Sequence, residues 1–413
     1  MKILFLFGHL ADVPSNNLNI TLKLIPRLQR TNDVYVLCRS NEFLPVDKNK
    51  VRFFSGVTTF YYTGGDSILS ISNEYKNTRF PFLKKFFIFL RHPIVFFHLL
   101  DLVFNDSGLM RKRYVCELEK HCITHDYDIV IGVSDPAYIF RALADAKIKA
   151  RKAIMMFDAY AYNQMVPRFQ RCWRKYIERK SIEKIDLVFA LWCIYDDLKK
   201  VSPEKNIIPF DIPCVPAGLF SPEQVTKQEH SMINFKYLGN LYKDIRNPTF
   251  MLEMFRILPE NYILNLYGGG CENLIKSHKA QLGEKLVSHG WVDNQTADSE
   301  MQSADILVNL NNTTKNQFPS KLLSYISTGK PIINICKLPD CNSLRYTKKY
   351  SNCLNIFETE ALDKKLTRKI TDFVSEKLGV RIPPQLILDL YKENTAEYVA
   401  NLIDNKIHIN PIK

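Results

Sequence analysis

A polar loop that ends at a lysine contains the residue types that most clearly suggest chemistry in this sequence. The loop follows the apolar segment Ala304–Leu310 and leads through Ser320 to Lys321, where a helical pattern begins. The first N–H groups of a helix lack partners within the helix, so a lysine there adds a cation to free hydrogen-bond donors. This combination suits a phosphate group. The helix should end at Thr328–Pro331, because glycine followed by proline stops a helix, and a new strand begins there.

The first half offers candidate side chains where predicted strands end. Gly8 ends the first apolar segment and would let a ligand approach the backbone closely, although an ordinary tight turn explains it equally well. Asp158 follows another apolar run, and a carboxylate at the carboxyl end of a parallel strand faces the ligand-binding edge. A loop or helix-capping aspartate is the alternative. His9 and Asp135 are weaker candidates at similar positions.

These side chains must be positioned by apolar segments that alternate with helical patterns through both halves. The segments expected to contain strands are Lys2–Gly8, Asp33–Arg39, Asp126–Tyr138, Arg151–Asn163, Ile185–Trp192, the start of Ile233–Pro248, Asn261–Gly270, Lys285–Asp293, Ala304–Leu310 and Pro331–Ile335. Such alternation predicts parallel sheets that bind ligands at the carboxyl ends of their strands. The glycine pattern G-x-G-x-x-G is absent, so the dinucleotide-binding fingerprint is not supported.

The length of 413 residues predicts two domains. The proline-rich segment Asn206–Pro222 is interpreted as the linker between them. We expect an α/β protein with two Rossmann-like parallel-sheet domains that face a cleft. Residues 1–210 form the first domain and residues 211–382 the second, and residues 383–413 form a helical tail that packs back on the first domain.

Composition and charge restrict the partners. The net charge of +13 predicts an anionic partner, which leaves nucleic acid, an anionic membrane and a phosphate-bearing substrate open. Nucleic acid is disfavoured because the basic residues are spread along the chain without a recognised motif. The 10 cysteines form no C-x-x-C pair and the histidines lack zinc spacing, so we expect reduced cytosolic thiols and no metal. We expect neither a signal peptide nor a transmembrane helix.

Two basic stretches bear on the membrane question. Residues Thr78–Phe104 place many phenylalanines among Lys84, Lys85 and Arg91, which fits contact with an anionic membrane surface. Two buried helices of a globular domain are the alternative. A later basic helix, which begins near Arg168, is interpreted as a solvated helix face.

Four segments of the second half resemble the nucleotide-sugar-binding domain of retaining glycosyltransferases of the two-domain GT-B architecture, in the large family four. In order, they are YLGNLYKDIRNP (Tyr237–Pro248), LNLYGGG (Leu264–Gly270), the run Ser288–Leu310, and QFPSKLLSYISTGKPII (Gln317–Ile333). Each segment is common alone, but the four in this order are more specific. The first half is similar to the family only in its organisation, as a domain for variable acceptors would be.

The resemblance implies two cations on the diphosphate. Arg246 stands about where the family has a basic diphosphate ligand, one residue later than the commonest spacing, and Lys321 would be the second cation. A leaving nucleoside diphosphate gains charge in the transition state, so without a metal these cations must stabilise it. Gly239 and Asn240 would face the diphosphate.

The resemblance also implies contacts with the base and the sugars. Val292 would contact the base through its backbone, beside Trp291. Asn316 and Ser324 stand where many members of the family carry two glutamates eight positions apart; they can form hydrogen bonds but are not bidentate carboxylates. The remaining residues expected to bind the nucleotide sugar are Gly8, Gly268, Gly269, Gln317, Phe318 and Ser320.

The resemblance therefore implies a glycosyltransferase that moves a sugar from a nucleotide-diphosphate sugar to a saccharide or lipid-linked acceptor, in bacterial surface polysaccharide synthesis. The nucleotide sugar is the donor substrate, and no cofactor is expected. Retention needs no dedicated general base, and Asp158 would contact the transferred sugar or the acceptor. An inverting enzyme would need a base, which Asp158, Asp135 or His9 could supply. The alternatives are a scaffold that retains the fold without activity and a nucleotide-sugar epimerase.

Overall fold

The structure, a computed structural model, describes residues 1–9, 16–40, 57–63, 108–134, 137–162, 168–215 and 232–409. Its strands are β1 Lys2–His9, β2 Asp33–Ser40, β3 Thr58–Thr63, β4 Ile129–Val133, β5 Arg151–Met156, β6 Leu187–Leu191, β7 Ile207–Phe210, β8 Ile233–Leu238, β9 Tyr262–Tyr267, β10 Leu286–Gly290, β11 Ile306–Leu310, β12 Ile332–Cys336 and β13 Cys353–Phe357. Its α-helices are α1 Asn16–Leu22, α2 Ile25–Leu28, α3 Gly108–Thr124, α4 Tyr138–Asp145, α5 Arg171–Glu183, α6 Trp192–Val201, α7 Thr249–Ile257, α8 Glu272–Leu282, α9 Asn294–Ser303, α10 Lys321–Ser327, α11 Leu344–Thr347, α12 Lys364–Lys377, α13 Pro384–Leu390 and α14 Ala396–Ile409. The predicted stretch 78–104 and Asp135 lie outside the described residues.

The strands form two parallel sheets, as the alternating pattern predicted. The first has the order β3-β2-β1-β4-β5-β6-β7 and the second the order β10-β9-β8-β11-β12-β13. In β1, consecutive residues from Ile3 to Phe7 are buried. Continuous burial of this kind is expected when helices cover both faces of a parallel sheet. The predicted α/β class, with a parallel sheet in each half, is confirmed.

The interpretation of Asn206–Pro222 as a linker is wrong in its first part. Residues Ile207–Phe210 form β7, which pairs in parallel with β6 at the edge of the first sheet. Ile207, Ile208 and Phe210 are buried, whereas Pro209 is exposed. An edge strand tolerates a proline because one side of its backbone has no strand to donate to. The proline content therefore masked a strand that the apolar residues already indicated.

The chain divides into two compact units. One contains Met1–Asp211 together with the residues from Val399 onward, and the other contains Ile212–Tyr398. Of the described residues, no helix is both long enough and apolar enough to cross a membrane.

The predicted helical tail is divided between the units, which corrects its expected packing on the first domain alone. Residues 383–398 belong to the second unit, where the Tyr391 hydroxyl donates to the Tyr346 carbonyl at 2.7 Å. Only the later part belongs to the first unit, where Asn32 Nδ2 donates to Asp404 Oδ1 at 2.6 Å. A helical pattern shows which face is apolar but not which surface it will cover.

Candidate functional site

Three loops come together at the carboxyl ends of strands in the second sheet. They follow β8, β9 and β11, three adjacent strands of that sheet. Backbone hydrogen bonds join the loops: Leu241 N–H donates to the Gly269 carbonyl at 2.8 Å, and Thr313 N–H donates to the Ile245 carbonyl at 2.9 Å. The structure thus brings the predicted residues of three separate sequence segments to one edge of one sheet, where parallel α/β sheets bind ligands.

Glycines allow the loops after β8 and β9 to approach this closely. Gly268 has φ +132°, and a Cβ there would lie 2.2 Å from the Gly239 carbonyl oxygen. Gly270 has φ +96°, and its Cβ would lie 2.0 Å from the Leu241 carbonyl oxygen. Both positions exclude a side chain by conformation and by contact. The close packing of the two loops therefore explains why residue 268 is a glycine, independently of its predicted ligand contact.

Gly269 differs from its neighbours. Its N–H donates to the Asn240 side-chain oxygen at 3.1 Å, and the nearest atom to an added Cβ is Glu272 Oε1 at 4.0 Å. The Asn240 amide thus links two loops, which was not expected from the sequence. The predicted ligand contacts of Gly239, Asn240 and Gly269 stay predictions.

Arg246 is held over this edge by the loop after β11. Its Nε donates to Asn312 Oδ1 at 2.9 Å, and Asn312 Nδ2 donates to the Gln317 carbonyl at 3.2 Å. Asn312 is buried, whereas Arg246 is half-buried. A buried amide that fixes Nε orients the guanidinium group. Its Nη1 also donates to the Asn240 carbonyl at 3.5 Å, and its remaining donors can serve an anion. Sequence reasoning missed Asn312, whose only signal was its place in a polar loop.

Lys321, the first residue of α10, belongs electrostatically with Arg246. The side chain is exposed, but surrounding protein partly desolvates its ammonium group, and the pKa of Lys321 is lowered by this desolvation and by the positive charge of Arg246. Asp298 opposes the effect. Two neighbouring cations repel each other, and an anion bound between them would relieve that repulsion. The structure therefore places the two predicted cations within electrostatic reach of each other.

The other residues predicted from the loop after β11 follow one another toward α10. Asn316 is buried, while Gln317, Phe318, Ser320 and Ser324 are half-buried. The Phe318 ring packs against the Tyr346 ring at a centroid distance of 4.7 Å. Ser320 precedes α10 without a side-chain capping bond.

The predicted base-binding residues follow β10 at its carboxyl end. Trp291 is 67% exposed, and Val292 is half-buried. The Gly290 carbonyl accepts from Gly268 N–H at 2.7 Å, so this segment adjoins the glycine loop after β9. Trp291 and Val292 therefore follow a residue that contacts the glycine loop, and their roles at the base stay predictions.

Hydrogen-bonded asparagines, of which Asn309 and Asn334 are buried and Asn355 is half-buried, support the loop after β11. Asn309, Asn334 and Asn355 are in register across β11, β12 and β13. Asn334 Oδ1 accepts from Asn309 and from Asn311, both at 2.7 Å, and Asn334 Nδ2 donates to Asn355 Oδ1 at 2.7 Å. Asn311 is thereby fixed beside Asn312, the partner of Arg246. The asparagines are visible in the sequence, but only the register shows that they are neighbours.

In the first unit, Asp158 lies in the loop after β5. It is exposed and accepts from Asn17 Nδ2 of α1 at 3.2 Å. Gly8 lies near the end of β1, and its carbonyl accepts from the Tyr138 hydroxyl at 3.2 Å. Because β1 and β5 both pair with β4 in parallel, Gly8 and Asp158 lie at the same edge of the sheet. The side chain of His9 lies outside the described residues.

A buried glutamate beneath the Asp158 loop was missed by sequence reasoning. Glu178 of α5 is fully buried, and its Oε1 accepts from the Tyr160 N–H at 3.2 Å. Burial raises the pKa of Glu178 to about 7, and the backbone hydrogen bonds from Tyr160 and Ala161 partly oppose that change. The sequence did contain a sign of this buried glutamate, because Glu178 stands on the apolar side of the helix, beside Ile177 and Ile182.

Comparison with known proteins gives the class of fold. No protein-family model matches the sequence, and no curated protein matches it. Solved structures do match. The lipopolysaccharide outer core galactosyltransferase WaaB is 14% identical with a TM-score of 0.61, covering 98% of this chain and 99% of that chain. Sucrose-phosphate synthase from Thermosynechococcus elongatus is 13% identical with a TM-score of 0.66, covering 98% of each chain.

A third similar structure contains a nucleotide. Anabaena HepE in complex with UDP is 11% identical to this chain with a TM-score of 0.64, covering 98% of this chain and 99% of that chain. At these identities, structural similarity over nearly whole chains establishes the fold. The protein has the two-domain GT-B fold, as the resemblance of its second half implied.

Proposed function

We propose that the protein is a glycosyltransferase that moves a sugar from a nucleotide-diphosphate sugar to a saccharide or lipid-linked acceptor. The observation that carries this proposal is the pair of cations, Arg246 and Lys321, at the carboxyl edge of the second sheet. Arg246 is oriented by the buried Asn312, and Lys321 opens a helix. An oriented arginine and a lysine at the start of a helix are suited to a diphosphate.

In the proposed reaction, the bond between the anomeric carbon and the diphosphate oxygen breaks, and a bond from that carbon to an acceptor oxygen forms. The leaving diphosphate gains charge, and the two cations stabilise that charge more in the transition state than in the ground state. The proposed stereochemistry is retention, with attack from the face that the diphosphate leaves. The acceptor proton can then pass to the departing phosphate, so no protein base is required.

The donor sugar would be held by the residues around the cations. Asn316 and Ser324 are proposed to form hydrogen bonds with the donor, in place of carboxylates. Asp158 of the first unit is proposed to contact the transferred sugar or the acceptor. UDP is the first nucleotide to test, because a structure of the same fold contains it.

The proposed setting is bacterial surface polysaccharide synthesis at the inner face of the membrane. Two proteins of similar structure are WaaB, a lipopolysaccharide outer core galactosyltransferase, and WaaG, a glycosyltransferase involved in lipopolysaccharide biosynthesis. The excess of basic residues supports contact with an anionic surface. The proposed enzyme is cytoplasmic and peripheral, with a lipid-linked saccharide as acceptor.

Thermal unfolding in the presence of UDP, GDP, ADP and their sugars tests the donor site. We expect one nucleotide and its sugar to raise the unfolding temperature, because ligands that bind the folded state stabilise it. Arg246→Ala and Lys321→Ala should each remove most of that increase. A protein stabilised by no nucleotide would instead be a scaffold, a possibility favoured by the absence of carboxylates at Asn316 and Ser324.

Incubation with the stabilising nucleotide sugar then distinguishes two reactions. A transferase releases nucleoside diphosphate in amounts equal to the sugar transferred or hydrolysed. An epimerase converts one nucleotide sugar into another or releases the nucleotide with a new sugar isomer. Detection of an isomerised sugar without an acceptor product would contradict the proposed transfer.

A further inference from the structure

The outer face of α5 exposes aromatic rings. Phe169, in the 3₁₀ turn that precedes α5, is 72% exposed, Trp173 is 49% exposed and Tyr176 is 55% exposed. These three residues, called the aromatic face below, are four and three positions apart, so they lie along one side of the helix. The rings of Trp173 and Tyr176 stack with a centroid distance of 5.6 Å. Large side chains grouped in this way, outside the core, mark a contact surface.

The opposite side of α5 is anchored in the first unit. The buried residues of α5 are Ile177, Glu178, Ser181 and Ile182. Glu178 accepts a backbone hydrogen bond from Tyr160, which fixes the helix against the loop after β5. Because the inner side is held by these contacts, the aromatic face points away from the core in the described structure. Local fraying is therefore a poor explanation for the exposure of three aromatic rings.

Basic residues are interleaved with the aromatic face along α5. Two of them also contact rings of the loop after β5: Arg174 lies over the Tyr160 ring at 4.8 Å, and Lys175 lies over the Tyr162 ring at 4.6 Å. Within α5 the basic residues are Arg171, Arg174, Lys175, Arg179 and Lys180, and the acidic residues are Glu178 and Glu183. Glu178 is buried, and Glu183 pairs with Arg179 at 3.2 Å and with Lys180 at 2.9 Å. The exposed part of the helix therefore has a net positive charge. The sequence-based interpretation of a solvated basic face accounted for these cations but not for the rings between them.

We propose that α5 is a membrane-contact surface, with the aromatic face in the interfacial region of an anionic lipid bilayer. Tryptophan and tyrosine favour that region because each combines an apolar ring with a polar group. The exposed cations of α5 would meet anionic head groups, each contributing up to about fivefold to the partition coefficient. A buried protein interface would instead be depleted of lysine. Membrane docking through α5 does not depend on the proposed transfer reaction.

The two exposed tryptophans provide a direct test. The three tryptophans of the chain include Trp173 on the aromatic face and Trp291, which is 67% exposed in the second unit. The full-length protein is mixed with vesicles of phosphatidylcholine that contain about one third phosphatidylglycerol, with or without bromine-labelled acyl chains. We expect co-flotation with these vesicles, release by salt, and quenching of tryptophan fluorescence by the brominated lipid.

Single substitutions assign the quenching. Trp173→Phe should retain flotation within about twofold, because an aromatic ring remains, but should lose most of the quenching. Trp291→Phe should retain the quenching. Combined Phe169→Ser, Trp173→Ser and Tyr176→Ser should lower the partition coefficient by about tenfold or more. Ile123→Ser is the matched control, since Ile123 of α3 is 83% exposed and lies outside α5.

Three outcomes would overturn the proposal. Absence of flotation with anionic vesicles would show that the surface serves a protein or a saccharide instead. Flotation without quenching would show that another part of the chain contacts the lipid. Quenching that persists in Trp173→Phe would place the contact at another tryptophan. Each readout is a binding measurement on the folded protein, so failure of the donor-site proposal would leave it interpretable.

Discussion

Replacing Lys321 should weaken nucleotide binding and remove its dependence on alkaline pH. A hydrogen bond to a charged group contributes about 1.5–3 kcal/mol, which corresponds to about 10- to 150-fold in Kd. Lys321 is exposed, so solvent screening favours the lower end, about tenfold for Lys321→Met. Arg246 is half-buried and fixed by Asn312, so Arg246→Ala should approach the upper end.

The pH dependence follows from the direction of the pKa shift. Desolvation and then Arg246 lower the pKa of Lys321, so its charge is lost at lower pH than that of an ordinary lysine. UDP binding measured by calorimetry should therefore begin to weaken at a lower pH than loss of charge from an ordinary lysine would cause, and the terminal phosphate is already ionised there. In Arg246→Ala this decline should shift to higher pH, because one cause of the lowered pKa is gone.

Lys315→Met is the matched control for the loss of a lysine. Lys315 belongs to the same loop but pairs with Asp340, so its removal should change the Kd of UDP by less than about twofold. Because the uracil ring also loses a proton in alkaline solution, the two proteins are compared directly, and an alkaline decline equally steep in the wild type and in Lys321→Met would refute the reasoning. A decline that shifts to lower pH in Arg246→Ala would also refute it.

The remaining predictions concern stability and are measured by chemical denaturation with circular dichroism. Gly268→Ala should lower the free energy of unfolding by about 3 kcal/mol or more through overlap with the backbone of the neighbouring loop, whereas Gly379→Ala, with φ +75° and no atom within 4 Å, should cost only about 1 kcal/mol; equal losses would contradict this. Asn334→Leu should cost about 3–5 kcal/mol because several buried amides lose their partner; a loss under about 1 kcal/mol would show that these hydrogen bonds are weak. Because the pKa of Glu178 is raised in the folded state, the folded protein retains a proton that the unfolded chain loses between about pH 4.5 and 7. The stabilisation from Glu178 is therefore complete below pH 4.5, and the free energy of unfolding declines by roughly 3 kcal/mol as pH rises to about 7. Glu178→Gln should flatten that decline, and an unchanged slope would contradict the assignment.

Much of the fold could be predicted from local patterns. Apolar segments that alternate with helical patterns specify a parallel α/β class, because both faces of such sheets are buried. The boundaries of elements were less reliable, as the strand Ile207–Phe210 shows. Pro209 suggested a linker, but the buried residues on either side of it belong to an edge strand. The surface that a helix covers depends on tertiary packing, which cannot be predicted from the hydrophobic periodicity of the helix alone.

Residues of the candidate site could be predicted where a sequence motif contains them. Residues that belong to the site only through side-chain hydrogen bonds could not be predicted. Arg246 and Lys321 were identified because their segments occur in a recognisable order. Asn312 and Asn334 were missed because a polar loop and an apolar strand give no sign that their amides meet. The aromatic face of α5 was present in the sequence at helical spacing, but exposure distinguishes such residues from core residues only in the folded structure.

The first unit is built from two separate segments of the chain, which limits how the two units can be expressed separately. The second unit is one continuous segment, Ile212–Tyr398, whereas the first is completed only by residues from Val399 onward. A fragment that ends at Asp211 would lack the residues that give Asn32 its partner Asp404 and Arg151 its partner, the Ile407 carbonyl. The first unit would therefore have to be expressed with residues 399–409 rejoined through a linker, or rebuilt as a circular permutant, while the second can be excised as one uninterrupted segment.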